Sequence, residues 1–186
     1  MVQVQKINPV VRAILVVGAA AGLVVGVTFA ALNSQATLTG NTISATSGLQ
    51  VSTDGETFGG SIPGFSFANV VLGDATGVNN TFKLRNGSTS NMNVTLKIPT
   101  APTFTGGTVD QTKVHVKLDC TGPVLTVAST TLAALTAGEV SLTGGTLTAG
   151  ATADCTMNVT MDSDAITGAT STTSSPFDLR FTGTGV

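Results

Sequence analysis

Apolar and polar residues alternate along most of this chain after its first thirty positions. Alternation with a period of two places successive side chains on opposite faces of a strand, so it is typical of strands with one buried face. Gly, Asn and Pro separate the alternating runs, as at Asn86-Gly87 and Pro99. The clearest runs begin at Leu32, Phe82, Val94, Val114, Cys155 and Phe177.

This pattern predicts an all-β fold with about eight to ten short strands and no convincing amphipathic helix. We expect one antiparallel β-sandwich domain of the jelly-roll type over residues 31–186, following an N-terminal signal helix. A closed barrel is the alternative, because strand order does not follow from the pattern. The segment Thr130 to Ala137 is compatible with either a short helical turn or a strand.

The first thirty residues have the layout of a secretory signal peptide. A basic head with Lys6 and Arg12 precedes an apolar run from Ala13 to Ala30 that ends in small residues. We expect residues 1–30 to be removed by cleavage between Ala30 and Ala31, which makes the protein secreted, extracellular or attached to the cell surface. Membrane contact is then confined to the leader before cleavage. The alternative is a retained N-terminal anchor, because the run is just long enough to span a bilayer.

Charge and aromatic content exclude several partners. The chain has eight Lys or Arg and ten Asp or Glu, and two of the basic residues lie in the leader, so the mature chain is near −4. No basic cluster remains, which argues against nucleic acid and anionic membrane surfaces. The chain contains no Trp and no Tyr, and therefore lacks large platforms for stacking sugars.

Cys120 and Cys155 are the two cysteines of the chain. In an oxidising compartment a single disulfide is the simplest interpretation. The alternative is two buried free thiols. A metal site is less compatible with the sequence, since two thiols and one distant histidine do not supply a tetrahedral ligand set.

The sequence carries no recognisable catalytic set. His115 alternates with Val114 and Val116, which predicts a position on the solvent face of a strand. A Gly-x-Ser-x-Gly elbow is absent, and one histidine excludes the His-Glu-x-x-His zinc motif. Asp162 and Asp164 could contribute to a calcium site on a loop, with Asp154 nearby, although solvated loop carboxylates are the more common explanation. We therefore predict no enzymatic activity and no cofactor.

Three segments are informative beyond their alternation, namely Val27 to Asn33, Ala36 to Ile43 and Phe82 to Ser88. Together they resemble the TasA/camelysin family of secreted biofilm-matrix fibre subunits. The residues Val27 to Asn33 are similar to the specialised signal-peptidase site of that family. The run Ala36 to Ile43 resembles its first mature strand, and Phe82 to Ser88 resembles its strand ending in an Asn-Gly turn. The chain departs from the family at Leu72-Gly73-Asp74, where Pro-Gly is frequent, and in its cysteine pair.

The resemblance implies a pilus-like structural subunit that forms fibres by donor-strand complementation. The donor strand would lie within residues 31–46. Its expected contributors are Leu32, Ser34, Ala36 and Leu38, with Gly40 at the hinge. The implied partners are other copies of the chain in a homopolymer, a dedicated signal peptidase and an accessory anchor protein. One alternative is that residues 31–40 pair within their own subunit, and another is a monomeric surface adhesin or carbohydrate-binding domain.

Overall fold

The computed structural model describes residues 35–38, 42–46, 48–63, 67–169 and 171–186, which belong to one compact unit. Within these residues, no helix has the length and apolar character needed to cross a membrane. Several predicted features lie outside the described residues. These are the signal helix over residues 1–30, the cleavage site at Ala30 and Ala31, and the donor-strand positions Leu32, Ser34 and Gly40.

Strands make up most of the described chain. In sequence order they are β1 (Gln35–Leu38), β2 (Thr42–Thr46), β3 (Leu49–Ser52), β4 (Ser61–Pro63), β5 (Phe67–Val71), β6 (Val78–Asn86), β7 (Met92–Lys97), β8 (Phe104–Thr105), β9 (Thr108–Val109), β10 (Val114–Thr121), β11 (Leu125–Thr131), β12 (Val140–Ser141), β13 (Thr152–Met161), β14 (Ile166–Thr167), β15 (Ser171–Ser174) and β16 (Asp178–Gly185). A 3₁₀ turn covers Gln111–Lys113, and one helix, α1, covers Leu132–Ala137.

The strands form two five-stranded sheets, one four-stranded sheet and a two-stranded ribbon. The front sheet has the order β11-β10-β13-β6-β3, and all its pairs are antiparallel. The back sheet has the order β12-β7-β16-β2-β4 and contains one parallel pair, β16 with β2. The side sheet has the order β5-β1-β15-β8 and also contains one parallel pair, β1 with β15. β14 pairs with β9 in the ribbon.

The order of the strands is that of a jelly roll. Without the edge strands β3 and β4, the front sheet has the order β6-β13-β10-β11 and the back sheet has the order β2-β16-β7-β12. Apart from the β10–β11 hairpin within the front sheet, successive strands of this set cross between the two four-stranded sheets, as in a double-sheet jelly roll. The predicted antiparallel β-sandwich of the jelly-roll type is confirmed. The two parallel pairs are a departure that the alternation along the chain does not reveal.

The core lies between the front and back sheets. Alternation in β13 buries Ala153 and every second residue through Met161, as the period-two pattern predicts. Phe82 of the front sheet meets Phe181 of the back sheet with ring centroids 5.5 Å apart. Gly183 lies at a close approach of the two layers, because a Cβ there would be 2.6 Å from both Leu49 Cδ1 and Met92 Sδ.

Residues Thr130 to Ala137, for which the sequence allowed either a helical turn or a strand, contain the end of a strand and a short helix. β11 ends at Thr131, whose side-chain hydroxyl then accepts a hydrogen bond from the Ala134 backbone N–H. This N-cap starts α1, and Leu132 and Leu135 of the helix are buried. The short helix therefore covers one end of the core.

Asn86 joins the turn after β6 to a distant loop. Its side chain is fully buried, and its Nδ2 donates to the carbonyl oxygens of Ser90 at 2.7 Å and Leu147 at 2.9 Å. Its Oδ1 accepts from the backbone N–H of Ser88 at 2.9 Å. This is an asparagine-stabilised turn in which both the nitrogen and the oxygen of the side-chain amide form hydrogen bonds.

The predicted disulfide is present. Cys120 of β10 and Cys155 of β13 are direct register partners with Cα atoms 4.0 Å apart, and both are buried. The alternative of two free thiols is therefore wrong. Such a bond is consistent with an extracellular location, where disulfides persist.

Candidate assembly site

The predicted donor segment contains one described strand outside the two main sheets. β1 lies in the middle of the side sheet, between β5 and β15, and it pairs with both. We call the space that β1 fills the β5/β15 slot. In this single chain β1 pairs within its own subunit, and its donation to another subunit stays a prediction.

The β5 wall of the slot is antiparallel to β1 and irregular. Ala36 is in register with Val70, and Leu38 is in register with Phe67, so two residues of β5 oppose Thr37. One of these two, Asn69, has a positive φ of 62°, a conformation that Asn tolerates better than most residues. The result is a β-bulge that allows both Phe67 and Val70 to be buried.

The β15 wall of the slot is parallel to β1 and polar. Ala36 is in register with Thr172, which is only 3% exposed. Ser174, two residues farther along, is 4% exposed. Among the described residues, the Thr172 hydroxyl is buried without a hydrogen-bond partner. One wall of the slot is therefore apolar and the other contains small hydroxyl side chains.

Sequence reasoning missed both walls. β15 has the sequence Ser-Thr-Thr-Ser, which is typical of a loop, and β5 begins at Phe67 after a glycine-rich stretch. The period-two burial of Thr172 and Ser174 is hidden because the buried residues are as polar as the exposed ones. A single sequence contains no signal that β5 and β15 pair with β1. The pairing of β1 with β15 joins strands at opposite ends of the described chain.

The aspartates considered for calcium each contact a neighbouring lysine or histidine side chain. Asp164 accepts a hydrogen bond from Lys113 Nζ, and Asp162 Oδ1 lies 3.2 Å from His115 Nε2. The hydrogen bond from Lys113 lowers the pKa of Asp164 and in turn raises the pKa of Lys113. Asp154 pairs with Lys83 on another part of the front sheet.

These carboxylates therefore do not converge on one point. In the part of the chain that the structure describes, no group of three or more His, Cys, Asp or Glu could hold a metal ion. His115 lies on the polar face of β10, opposite the buried Val114 and Val116, as the alternation predicts. The ion pairs hold the loop after β13 against the start of β10.

Comparison with protein-family models, curated proteins and solved structures finds no match to this chain.

Proposed function

We propose that this chain is a structural, non-enzymatic subunit of an extracellular fibre, biofilm matrix or pilus-like filament, assembled by donor-strand complementation after cleavage of the leader. The observation that supports this most directly is the position of β1, the first strand of the described chain. β1 fills a slot between two strands that do not pair with each other.

Removing β1 from the slot leaves the two main sheets complete. Neither of the five-stranded sheets contains β1, and only residues 39–41 separate it from β2 in the back sheet. The core between Phe82 and Phe181 therefore does not depend on which copy of the chain supplies β1. The segment is a candidate for exchange between subunits because its replacement restores the same contacts.

An empty slot would be costly. Without β1, the facing N–H and C=O groups of β5 and β15 lose their partners, and the buried Phe67 and Val70 lose a covering strand. A strand of the same sequence from a second subunit restores both interactions, as in strand addition to an open sheet edge.

Exchange of this kind is open-ended. Each subunit donates β1 and accepts another β1 in its own slot, so the contact is heterologous and does not close on itself. Export and cleavage between Ala30 and Ala31 leave β1 near a new N-terminus, which couples assembly to processing by a dedicated signal peptidase. An accessory anchor protein attaches the homopolymer to the cell.

A disulfide lock tests the exchange. The variant Ala36→Cys/Thr172→Cys places thiols at register partners on β1 and β15. Oxidised as a monomer, it should keep β1 in its own slot and form no filaments in negative-stain electron microscopy. Reduction should restore filaments. The wild-type chain and the front-sheet variant Thr126→Cys should form filaments under both conditions.

A second measurement uses mixed subunits. A preparation of Ala36→Cys is mixed with one of Thr172→Cys and oxidised after assembly. Covalent dimers containing both variants are expected from exchange, whereas Ala36→Cys mixed with Thr126→Cys should give none. Filaments grown by the locked monomer would refute the mechanism. Dispersed wild-type particles at high concentration would favour the alternative of a monomeric adhesin.

A further inference from the structure

Two cations lie side by side on the outer face of the back sheet. Lys97 of β7 and Arg180 of β16 are direct register partners. Their neighbours Leu96 and Phe181 are fully buried, so Lys97 and Arg180 lie on the opposite, solvent-facing side. Arg180 is exposed and Lys97 is partly exposed.

These two cations have no carboxylate partner among the described residues. Three lysines differ in this respect, because each forms an ion pair with an aspartate. These pairs are Lys83 with Asp154, Lys113 with Asp164, and Lys117 with Asp119. Two of these lysines lie on the outer side of the front sheet, and the third, Lys113, lies in the 3₁₀ turn before β10. Arg85 of β6 has no such ion pair, but its guanidinium donates to Gln50 Oε1 and lies over the Phe58 ring. Among the described residues, Lys97 and Arg180 form neither kind of contact.

The carboxylates closest along these strands form no ion pair with Lys97 or Arg180. Glu139 accepts a hydrogen bond from Thr95 Oγ1 at 3.0 Å. Asp178 is on β16, two residues before Arg180, and is not within ion-pair distance of a described cation. Like charges directly opposite each other in a sheet are destabilising. This arrangement occurs in an acidic chain, so it is not a consequence of general basic character.

Two serines on the neighbouring strands continue the line of the two cations across the back sheet. Arg180 is also in register with Ser44 of β2, and Ser44 is in register with Ser61 of β4. Neighbouring strands are about 4.8 Å apart, so Lys97, Arg180, Ser44 and Ser61 form a line of donors about 14 Å long. We call this line the donor row.

We propose that the donor row binds an acidic polysaccharide, with Lys97 and Arg180 contacting carboxylates and the serines contacting sugar hydroxyls. Charge complementarity selects an anion, because a carboxylate between the two cations removes their mutual repulsion. A linear polymer lying across the strands presents its polar groups along the direction in which the donors are arranged.

The composition of the face argues against other macromolecules. Protein interfaces depend on aromatic or aliphatic side chains that become buried in the complex. Among the described residues, the strongly exposed large apolar side chains are Val124 and Val186, and neither belongs to the donor row. Single-stranded nucleic acid binding uses aromatic stacking, and the donor row contains no aromatic residue.

Binding of the purified wild-type protein to polygalacturonate tests this proposal, with dextran as the uncharged polymer. Affinity should be measurable for polygalacturonate, should weaken with added salt and should be absent for dextran. The variant Lys97→Gln/Arg180→Gln should bind about tenfold more weakly, since two exposed charge contacts are lost.

A matched control removes the same charge from the front sheet. Lys83→Gln/Lys117→Gln should retain wild-type affinity, although its net charge equals that of the donor-row variant. Equal losses in both variants would show a nonspecific charge effect and overturn the proposal, as would absent polygalacturonate binding or equal dextran binding. Wild type and variants are compared in the same assembly state, so the result is separate from whether the chain forms filaments.

Discussion

Replacing both cysteines by alanine is expected to lower the free energy of unfolding by about 4 kcal/mol. Cys120 and Cys155 are separated by 35 positions in sequence, so their bond closes a long loop in the unfolded chain. The chain-entropy model assigns such a loop about 13 cal/mol/K, or about 4 kcal/mol at 25 °C. The folded state should change little, because β10 and β13 remain paired along their whole length.

This loss is large relative to the stability of a typical domain, about 5–15 kcal/mol. Urea unfolding followed by far-ultraviolet circular dichroism measures it, since the chain has no Trp or Tyr for fluorescence. With an m-value of about 2 kcal/mol/M, the midpoint should fall by about 2 M. Thr121→Ala/Thr156→Ala changes solvent-side positions of the same strands and should shift stability by less than about 1 kcal/mol. A folded cysteine-free variant within about 1 kcal/mol of wild type would refute the loop-entropy reasoning.

Three further predictions concern buried polar groups and acid stability. Thr172→Val should raise the free energy of unfolding by about 1 kcal/mol in urea titrations, because it removes a buried hydroxyl that has no hydrogen-bond partner among the described residues. The exposed Thr173→Val should have little effect. Asn86→Ala should lower stability by about 3 kcal/mol, since it removes a buried amide that donates to the Ser90 and Leu147 carbonyls and accepts from the Ser88 N–H. The exposed Asn93→Ala should not lower it. The hydrogen bond from Ser52 lowers the pKa of Asp54 from 3.8 to about 2. As the pH falls, the Asp54 carboxylate is therefore protonated in the unfolded chain before it is protonated in the folded chain. Its contribution to stability is lost as the pH falls from about 4 to about 2. Asp54→Asn should flatten the fall in melting temperature between about pH 4 and pH 2, and an unchanged slope would contradict this assignment.

The alternating segments could be predicted from sequence because their period matches the pleat of a strand. β13 is the clearest case, since Cys155, Met157 and Val159 are all buried and the residues between them are not. The same pattern placed His115 on the polar face. The Cys120–Cys155 bond was predicted from the presence of two cysteines in a chain expected to be exported. These inferences are local, or depend on a single pair of residues.

The β5/β15 slot and the donor row could not be predicted because both depend on pairing between distant strands. Lys97 and Arg180 become neighbours only when β16 lies beside β7. β15 is entirely Ser and Thr, so hydrophobicity does not distinguish the buried Thr172 from the exposed Thr173. The parallel pairs of β1 with β15 and of β2 with β16 likewise join strands that are far apart in sequence. Local alternation does not specify which distant strands pair or in which direction.

The central position of β16 determines when this domain can fold during synthesis or translocation. β16 is the last strand in sequence, yet it lies between β7 and β2 and carries Phe181 into the core. A chain delivered from its N-terminus therefore cannot complete the back sheet until residue 185 is free. Such long-range pairing slows folding and keeps the emerging chain open.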